Sequence, residues 1–313
     1  MNQRAPSDSS NLSLRTTWLS GLGILKGPRP WSISLLLLVS VLRISLLAQE
    51  PADIPAQSNQ ESEQTIKVTK DLLIRESTDF KILADLYRPD NDRKYPLVIM
   101  IHGGAWTTGD KWNLQMHAKE ISAAGFVVVA VNYRLAPKYP YPAQLEDCQQ
   151  AYDWALQNAD QWLADSQHVG LWGYSAGGQL AAMIACMRSA KDSRLRACAA
   201  GGAPCEFSWL PSDSIALSHV MGGTPAKQPE AYRRASPVEF AEGQLCPFFL
   251  YHGSADLLVP PSSSLALHEK LLSLNVRSQH TSVQGKGHLM TFLDSDSRKR
   301  VIEFFHATLT DAN

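Results

Sequence analysis

The chain has 313 residues, of which 44% are hydrophobic and 19% are charged, a balance typical of a folded globular domain. Its 29 basic and 30 acidic residues give a net charge of −1 at pH 7. Without a basic excess there is little to neutralise phosphates, so the composition disfavours nucleic acid as a partner. The five cysteines form no C-x-x-C pair. They are too few for a disulfide scaffold and favour buried free thiols.

The first 48 residues differ in composition from the rest of the chain. They contain five basic residues against a single aspartate, and residues 32–48 form an apolar run interrupted by Arg43. A basic segment, an apolar run and small residues before polar Gln49 are typical of a cleaved signal peptide. We therefore expect export to the periplasm or medium. The alternative is that residues 32–48 stay as a membrane anchor, at the lower edge of the length that spans a bilayer.

The next residues, 49–65, are polar and have the composition of a linker. Apolar alternation and short buried runs then predict strands over 66–74, 80–87, 95–101, 126–131, 168–172, 197–200, 247–251 and 277–283. Helical spacing predicts helices ending at 124 and spanning 144–157, 177–187, 264–272 and 297–309. This alternation predicts an α/β domain over 66–313, with a mostly parallel central sheet flanked by helices. A small insertion separates the sixth and seventh strands.

The strongest chemical signal is the segment Gly173–Gly178, which reads GYSAGG and fits the pattern G-x-S-x-G. A predicted strand precedes it and a predicted helix follows it. This context is typical of a nucleophile held on a tight strand-to-helix turn, where glycines avoid collisions with neighbouring backbone. The pattern therefore predicts that Ser175 is a catalytic nucleophile. The alternative is a glycine-rich helix start with a buried serine.

A second motif, HGGAW at residues 102–106, follows the buried strand 95–101. It matches the HGGG-type loop whose backbone N–H groups bind an oxyanion. We expect His102 to order this loop, because a general base of this architecture follows the nucleophile in the chain. Trp106 has two interpretations: it lines a pocket, or it packs the loop against the core.

A serine nucleophile needs a base, and the base needs a carboxylate to orient it. In this architecture the order along the chain is Ser, Asp or Glu, His. His288 follows the last strand, and Asp256 follows the strand before it, so both lie at carboxyl ends of neighbouring strands. We expect His252 to support the loop of Asp256. The alternative for Asp256 is a turn or helix-capping role.

Together the motifs resemble those of the α/β-hydrolase esterases. The motifs are HGGAW, NYRLAP at 132–137, GYSAGG, HGSADLLVP at 252–260 and GKGH at 285–288. The similarity is strongest to the acetyl-xylan and feruloyl esterase-like carboxylesterases, near the hormone-sensitive-lipase-like group. Tyr174 and Asn132 stand where the lipase-like group carries aspartates, which favours the carbohydrate-esterase-like branch.

The resemblance implies an α/β-hydrolase fold and a serine carboxylesterase that hydrolyses short-chain esters, including those of acylated carbohydrates. It implies a triad of Ser175, His288 and Asp256, with an oxyanion hole formed by the N–H groups of Gly104, Ala105 and Ala176. Candidate pocket residues are Trp106, Tyr174 and Trp209. We expect no cofactor and no metal, and membrane contact only through a retained N-terminal segment. The alternatives are an arylformamidase-like amide hydrolase, a lipase-like esterase and a non-catalytic binding protein on the same fold.

Overall fold

The part of the chain that the structure describes, residues 64–310 of a computed structural model, contains eight strands in one sheet. The strands are β1 (Ile66–Glu76), β2 (Lys81–Pro89), β3 (Tyr95–Ile101), β4 (Val127–Val131), β5 (Ala164–Tyr174), β6 (Leu195–Gly201), β7 (Phe248–Gly253) and β8 (Ser278–Val283). Each strand expected from the sequence is present, with its ends shifted by a few residues. The predicted leader over 1–48, and the predicted linker up to residue 63, lie outside the described residues.

The order across the sheet is β1-β2-β4-β3-β5-β6-β7-β8. β2 runs antiparallel to both of its neighbours, and every later pair is parallel. This confirms the expected strand pair followed by a mostly parallel sheet. Parallel strands bring their carboxyl ends to one edge, so the loops after β3, β5, β7 and β8 meet there.

Helices cover both faces of the sheet. Over the described residues they are α1 (Gln115–Ala123), α2 (Ala143–Asn158), α3 (Ala176–Arg188), α4 (Ser218–Met221), α5 (Pro229–Arg234), α6 (Pro237–Phe240), α7 (Pro261–Ser273), α8 (His288–Phe292) and α9 (Ser295–Leu309). Short 3-10 helices precede α1 and follow α2. One apolar core lies under α2, α3 and α7, and a second lies under α1 and α9.

Two buried elements, β4 and α3, support the edge of the sheet at which the parallel strands end. β4 reads VVVAV and every residue of it is buried, as expected for a strand covered on both faces. α3 is buried along its first eleven residues, 176–186, and all of these except Gln179 are apolar or glycine. The helix that follows Ser175 is therefore fixed in the core.

The stretch from 202 to 247, between β6 and β7, contains only the short helices α4, α5 and α6. This confirms the predicted small insertion. All five cysteines lie in described elements and loops, where they are buried free thiols. No helix within residues 64–310 is long and apolar enough to cross a membrane.

Candidate active site

Ser175 stands on a sharp turn between the end of β5 and the start of α3. Its backbone φ is +56°, a conformation that non-glycine residues rarely adopt outside functional turns. Glycines make the turn fit. A Cβ added at Gly173 would lie 2.2 Å from the carbonyl oxygen of Gly177, and one added at Gly177 would lie 2.0 Å from that of Ile101. The turn leaves Ser175 partly exposed at the sheet edge.

The loop after β3 lies directly against this turn. A Cβ added at Gly103 would fall 2.8 Å from the backbone carbonyl oxygen of Tyr174 and 3.3 Å from the Cβ of Ser175, so a side chain at 103 would collide with the turn. The next three residues, Gly104, Ala105 and Trp106, all have positive φ, at 118°, 51° and 60°. Two of these three are not glycine, which stores strain beside the candidate nucleophile.

His102 is buried and holds the base of this loop. Its Nδ1 lies 2.8 Å from the carbonyl oxygen of Gly103, and its ring stacks on Tyr133 at 4.2 Å. The Tyr133 hydroxyl donates a hydrogen bond to the carbonyl oxygen of His102. Burial lowers the pKa of His102 to about 4, so the ring is neutral at pH 7. These contacts support the expected loop-ordering role.

The structure brings His288 and Asp256 together from the loops after β8 and β7. His288 Nδ1 lies 2.6 Å from Asp256 Oδ2. The other carboxylate oxygen, Oδ1, accepts hydrogen bonds from the backbone N–H groups of Leu258 and Val259. His288 is the first residue of α8 and is partly exposed, whereas the Asp256 side chain is fully buried.

Opposing effects act on the pKa of Asp256. Burial of the carboxyl alone would raise it, but hydrogen bonds from His252, His288 and the Val259 backbone outweigh that effect. The net result is a pKa held well below its ordinary value. Asp256 is therefore a carboxylate at any pH where the protein would work, and its oxygens accept hydrogen bonds.

Ser175 and His288 both line a cavity of about 200 Å³. Its wall consists of Ala105, Trp106, Ser175, Pro204, Phe207, Trp209, Leu217, Leu258, Val259 and His288. Both interpretations of Trp106 apply. Its side chain lines the cavity, and its Nε1 donates a hydrogen bond to Gln179 Oε1 inside the core. Trp209 lines the cavity from the insertion, where its Nε1 donates to the carbonyl oxygen of Glu206.

Tyr174, expected at the pocket, is not part of that wall. Its side chain points into the second core, and its hydroxyl donates a hydrogen bond to the carbonyl oxygen of His288 at 2.6 Å. The reason is the turn itself: Tyr174 ends β5 with its side chain on the α9 side of the sheet, while Ser175 turns away toward the cavity. Tyr174 thus supports the segment that carries His288.

Ser175 and His288 share the cavity wall, yet no hydrogen bond among residues 64–310 joins Ser175 Oγ to the imidazole. Of the three residues proposed for an oxyanion hole, Ala105 lies on the wall. Gly104 precedes it in the loop, and Ala176 begins α3. The first N–H groups of a helix have no partner within the helix, so the Ala176 N–H has no acceptor within α3. No group of His, Cys, Asp and Glu residues in the described chain is arranged to hold a metal.

Sequence reasoning missed much of the cavity wall. Pro204, Phe207 and Leu217 come from the insertion, where no periodic pattern marks which side chains face inward. Leu258 and Val259 follow Asp256 closely and belong to the motif HGSADLLVP, which points to Asp256 and not to a cavity wall. Proximity along the chain to Asp256 was the one signal that pointed to them.

The chain is similar to several known esterases. The esterase LipC of Mycobacterium tuberculosis is 28% identical over 236 residues, covering 68% of this chain and 58% of LipC. The chain spans about half the length of the curated relatives it matches. Among solved structures, a truncated carbohydrate esterase from gut microbiota has a TM-score of 0.70 at 22% identity, covering 80% of this chain and 99% of that one. An inhibited esterase B from Lactobacillus rhamnosis has a TM-score of 0.65 at 23% identity, covering 77% and 87%.

A mostly parallel eight-stranded sheet with a serine on the strand-to-helix turn after β5 defines an α/β-hydrolase. The structural likenesses support the same fold. Residues 84–271 match the model of the BD-FAE family. The chain belongs to the BD-FAE family.

Proposed function

We propose that this protein is a serine esterase that hydrolyses short-chain carboxylic esters with Ser175, His288 and Asp256. The observation that carries the proposal is the 2.6 Å contact of His288 Nδ1 with the buried Asp256 Oδ2, because His288 lies on the wall of the same cavity as Ser175. Nδ1 must carry a proton to donate to the carboxylate. The lone pair of Nε2 is then available to accept the hydroxyl proton of Ser175.

The reaction has two balanced halves. Ser175 Oγ bonds to the acyl carbon while its proton passes to His288 Nε2. The bond from that carbon to the alcohol oxygen then breaks, and the alcohol leaves with the proton from His288. Water attacks the acyl-enzyme by the same route, which releases the acid and restores Ser175. A serine–imidazole contact is often long in a free enzyme and shortens when substrate binds.

The negative charge of the tetrahedral intermediate needs donors beside Ser175. The N–H of Ala176 lies at the start of α3, where the helix dipole also favours negative charge. The loop of Gly104 and Ala105 approaches close enough that glycine is required at 103. Each such donor is worth roughly 3 kcal/mol of transition-state stabilisation in enzymes where it has been removed.

The cavity supports a small acyl group. At about 200 Å³ it is smaller than the roughly 300–1,000 Å³ of sites that enclose whole small molecules. Its wall is mostly apolar, so each methylene gains about 0.8 kcal/mol only while it still finds surface to bury. An acyl group of two to four carbons matches these limits.

The alcohol side of the site is open. Leu257 and Leu258, after Asp256, and Leu289 and Met290, after His288, are all exposed. These exposed residues favour a site that is open to solvent on this side, and we extend the proposal to acylated carbohydrates, whose alcohol is bulky. The similarity to a truncated carbohydrate esterase from gut microbiota supports this substrate class.

The test is hydrolysis of p-nitrophenyl acetate and of acetylated xylan by the wild-type protein and by Ser175→Ala. The variant Ser208→Ala, which changes an exposed serine of the insertion, is the matched control. We expect the wild type and the control to be active and Ser175→Ala to be inactive. Full activity of Ser175→Ala would refute the mechanism, and activity on p-nitrophenyl acetate without release of acetate from xylan would refute the carbohydrate assignment.

A further inference from the structure

A second histidine binds the carboxylate of Asp256. His252 Nε2 lies 3.1 Å from Asp256 Oδ2, the same oxygen that receives His288 Nδ1 at 2.6 Å. The His252 side chain is fully buried, as is that of Asp256. Two imidazoles therefore share one carboxylate oxygen, and only His288 also reaches the cavity.

The neighbours of His252 fix where its proton lies. Its Nε2 lies 3.0 Å from the carbonyl oxygen of Val259 as well as near Asp256 Oδ2. Both oxygens are acceptors, so Nε2 carries the hydrogen and donates to them. In the neutral ring Nδ1 is then an acceptor, and it lies 2.8 Å from the hydroxyl oxygen of Ser264.

The chain of contacts continues from Ser264 to the edge strand. Ser264 Oγ lies 3.1 Å from His280 Nε2 on β8. The Ser264 hydroxyl has two acceptors, His252 Nδ1 at 2.8 Å and the carbonyl oxygen of Pro261 at 3.2 Å. When it donates to His252, the nearer of the two, its oxygen is free to accept the Nε2–H of His280. Every hydrogen bond then points the same way: His280 to Ser264, Ser264 to His252, and His252 to Asp256. Burial lowers the pKa of His280 to about 4, which keeps this ring neutral.

The shared oxygen has a consequence for His288. A carboxylate raises the pKa of an imidazole next to it by favouring the charged form. A second donor on the same oxygen draws electron density away and fixes the carboxyl group in one orientation. His288 then keeps its geometry while its basicity is lower than an unshared carboxylate would give.

From this geometry we infer that His252 is a positioning residue, which orients Asp256 and limits the basicity of His288 through their common carboxylate oxygen. The inference rests on the proposed function, in which His288 is the general base. It assigns to the His280–Ser264 pair the task of fixing the tautomer of His252.

Other ionisable groups face this network and remain unchanged in the test. They are Tyr174 on β5, Tyr251 on β7, His268 on α7, and the ion pair of Lys286 with Asp294 beside α8.

The experiment compares two substitutions of similar size at the buried position. His252→Leu removes the donor, whereas His252→Gln keeps an N–H at about the distance of the imidazole Nε2. We measure kcat and KM on p-nitrophenyl acetate from pH 5 to pH 9. The acid limb is the pH at which kcat/KM is half its maximum on the acid side of the profile. For His252→Leu we expect this limb to move to higher pH by about half a unit. We also expect kcat to fall with KM unchanged. For His252→Gln we expect the limb at its wild-type position.

A purely structural role would lower the melting temperature of His252→Leu without moving the acid limb. An unmoved limb, or one that moves to lower pH, overturns the inference. If His252→Leu does not fold, Ser264→Ala replaces it, because this variant keeps all three imidazoles and removes the hydroxyl that contacts His252 Nδ1, His280 Nε2 and the carbonyl oxygen of Pro261. It is expected to move the limb in the same direction by a smaller amount, and an unmoved limb again overturns the inference.

Failure of the proposed function is distinguished by a readout without turnover. If the wild-type protein hydrolyses no ester, the pKa of His288 is measured from the NMR titration of its Cε1 proton. That signal is assigned by its loss in His288→Ala. A higher pKa in His252→Leu than in the wild type supports the inference, and an equal or lower pKa overturns it.

Discussion

The hydroxyl of Tyr174 donates a 2.6 Å hydrogen bond to the backbone carbonyl of His288. The residue directly before the candidate nucleophile thus holds the residue proposed as base, although 114 positions separate them. Burial raises the pKa of Tyr174 far above its ordinary value, so the phenol stays protonated and able to donate. The strand-to-helix turn and the start of α8 are tied together at this point.

Replacing this contact tests its role. Tyr174→Phe removes one buried hydrogen bond, for which we expect a loss of about 1 kcal/mol in the free energy of unfolding. It also leaves the His288 backbone less constrained, so we expect kcat for ester hydrolysis to fall with KM little changed. Tyr152→Phe is the control, because it loses a hydrogen bond to Asp192 away from the site. A normal kcat in Tyr174→Phe would show that this contact does not position the base.

The acyl preference depends on the cavity wall. For the wild type we expect kcat/KM on p-nitrophenyl esters to be highest at two to four acyl carbons and to fall by eight, because about 200 Å³ leaves no apolar surface for a longer chain. Trp209→Ala enlarges the cavity and is expected to raise the ratio of hexanoate to acetate hydrolysis. Ile215→Ala, an exposed residue of the same insertion, is expected to leave this ratio unchanged. A wild-type optimum at long chains would contradict the proposed acyl group and favour a lipase-like enzyme.

Two buried histidines, His102 and His117, and the half-buried His280 predict how stability depends on pH. Burial lowers the pKa of His102, His117 and His280 to about 4, against about 6.5 in an unfolded chain. Between these values the unfolded state binds more protons, so the free energy of unfolding rises with pH in this window. We expect full stability above about pH 6.5 and a progressive loss toward pH 4, measured by urea denaturation at a series of pH values.

One variant isolates the contribution of a single histidine. His117 donates from Nε2 to the carbonyl oxygen of Phe292, and His117→Gln keeps a donor there while removing the titration. The dependence of stability on pH should become shallower in His117→Gln. His219→Gln, at an exposed histidine, should leave the dependence unchanged. An unchanged slope in His117→Gln would mean that burial of this ring does not control the effect.

Export is a separate proposal, which rests on the basic and apolar order of residues 1–48. We expect native material to begin near Gln49. N-terminal sequencing of protein purified from its own host measures this directly. Recovery of Met1 in a cytoplasmic fraction would contradict the proposal.

The parts of the site that follow from chain order were predictable. Ser175, Asp256 and His288 each lie in the loop or turn that follows a parallel strand, and such strands end at one edge. The pairing of Asp256 with His288 requires only that β7 and β8 are neighbours in the sheet. The structure confirms that they are.

Other features depend on contacts that no local pattern encodes. The direction of Tyr174 depends on how the turn leaves β5, and the sequence alone led to the wrong expectation that it lines the pocket. The contact of His252 with Ser264 depends on how α7 packs on β7. Phe207 and Leu217 lie in an insertion of short helices, without the periodicity that would mark their buried faces.

The most direct test of the central claim is covalent labelling. A serine-directed phosphonate should react with the wild-type protein once, and tandem mass spectrometry should find the label on Ser175. His288→Ala should react far more slowly, because the proton of the Ser175 hydroxyl then has no base. Label on another residue, or stoichiometric labelling of Ser175→Ala, would contradict the assignment of Ser175 as the nucleophile.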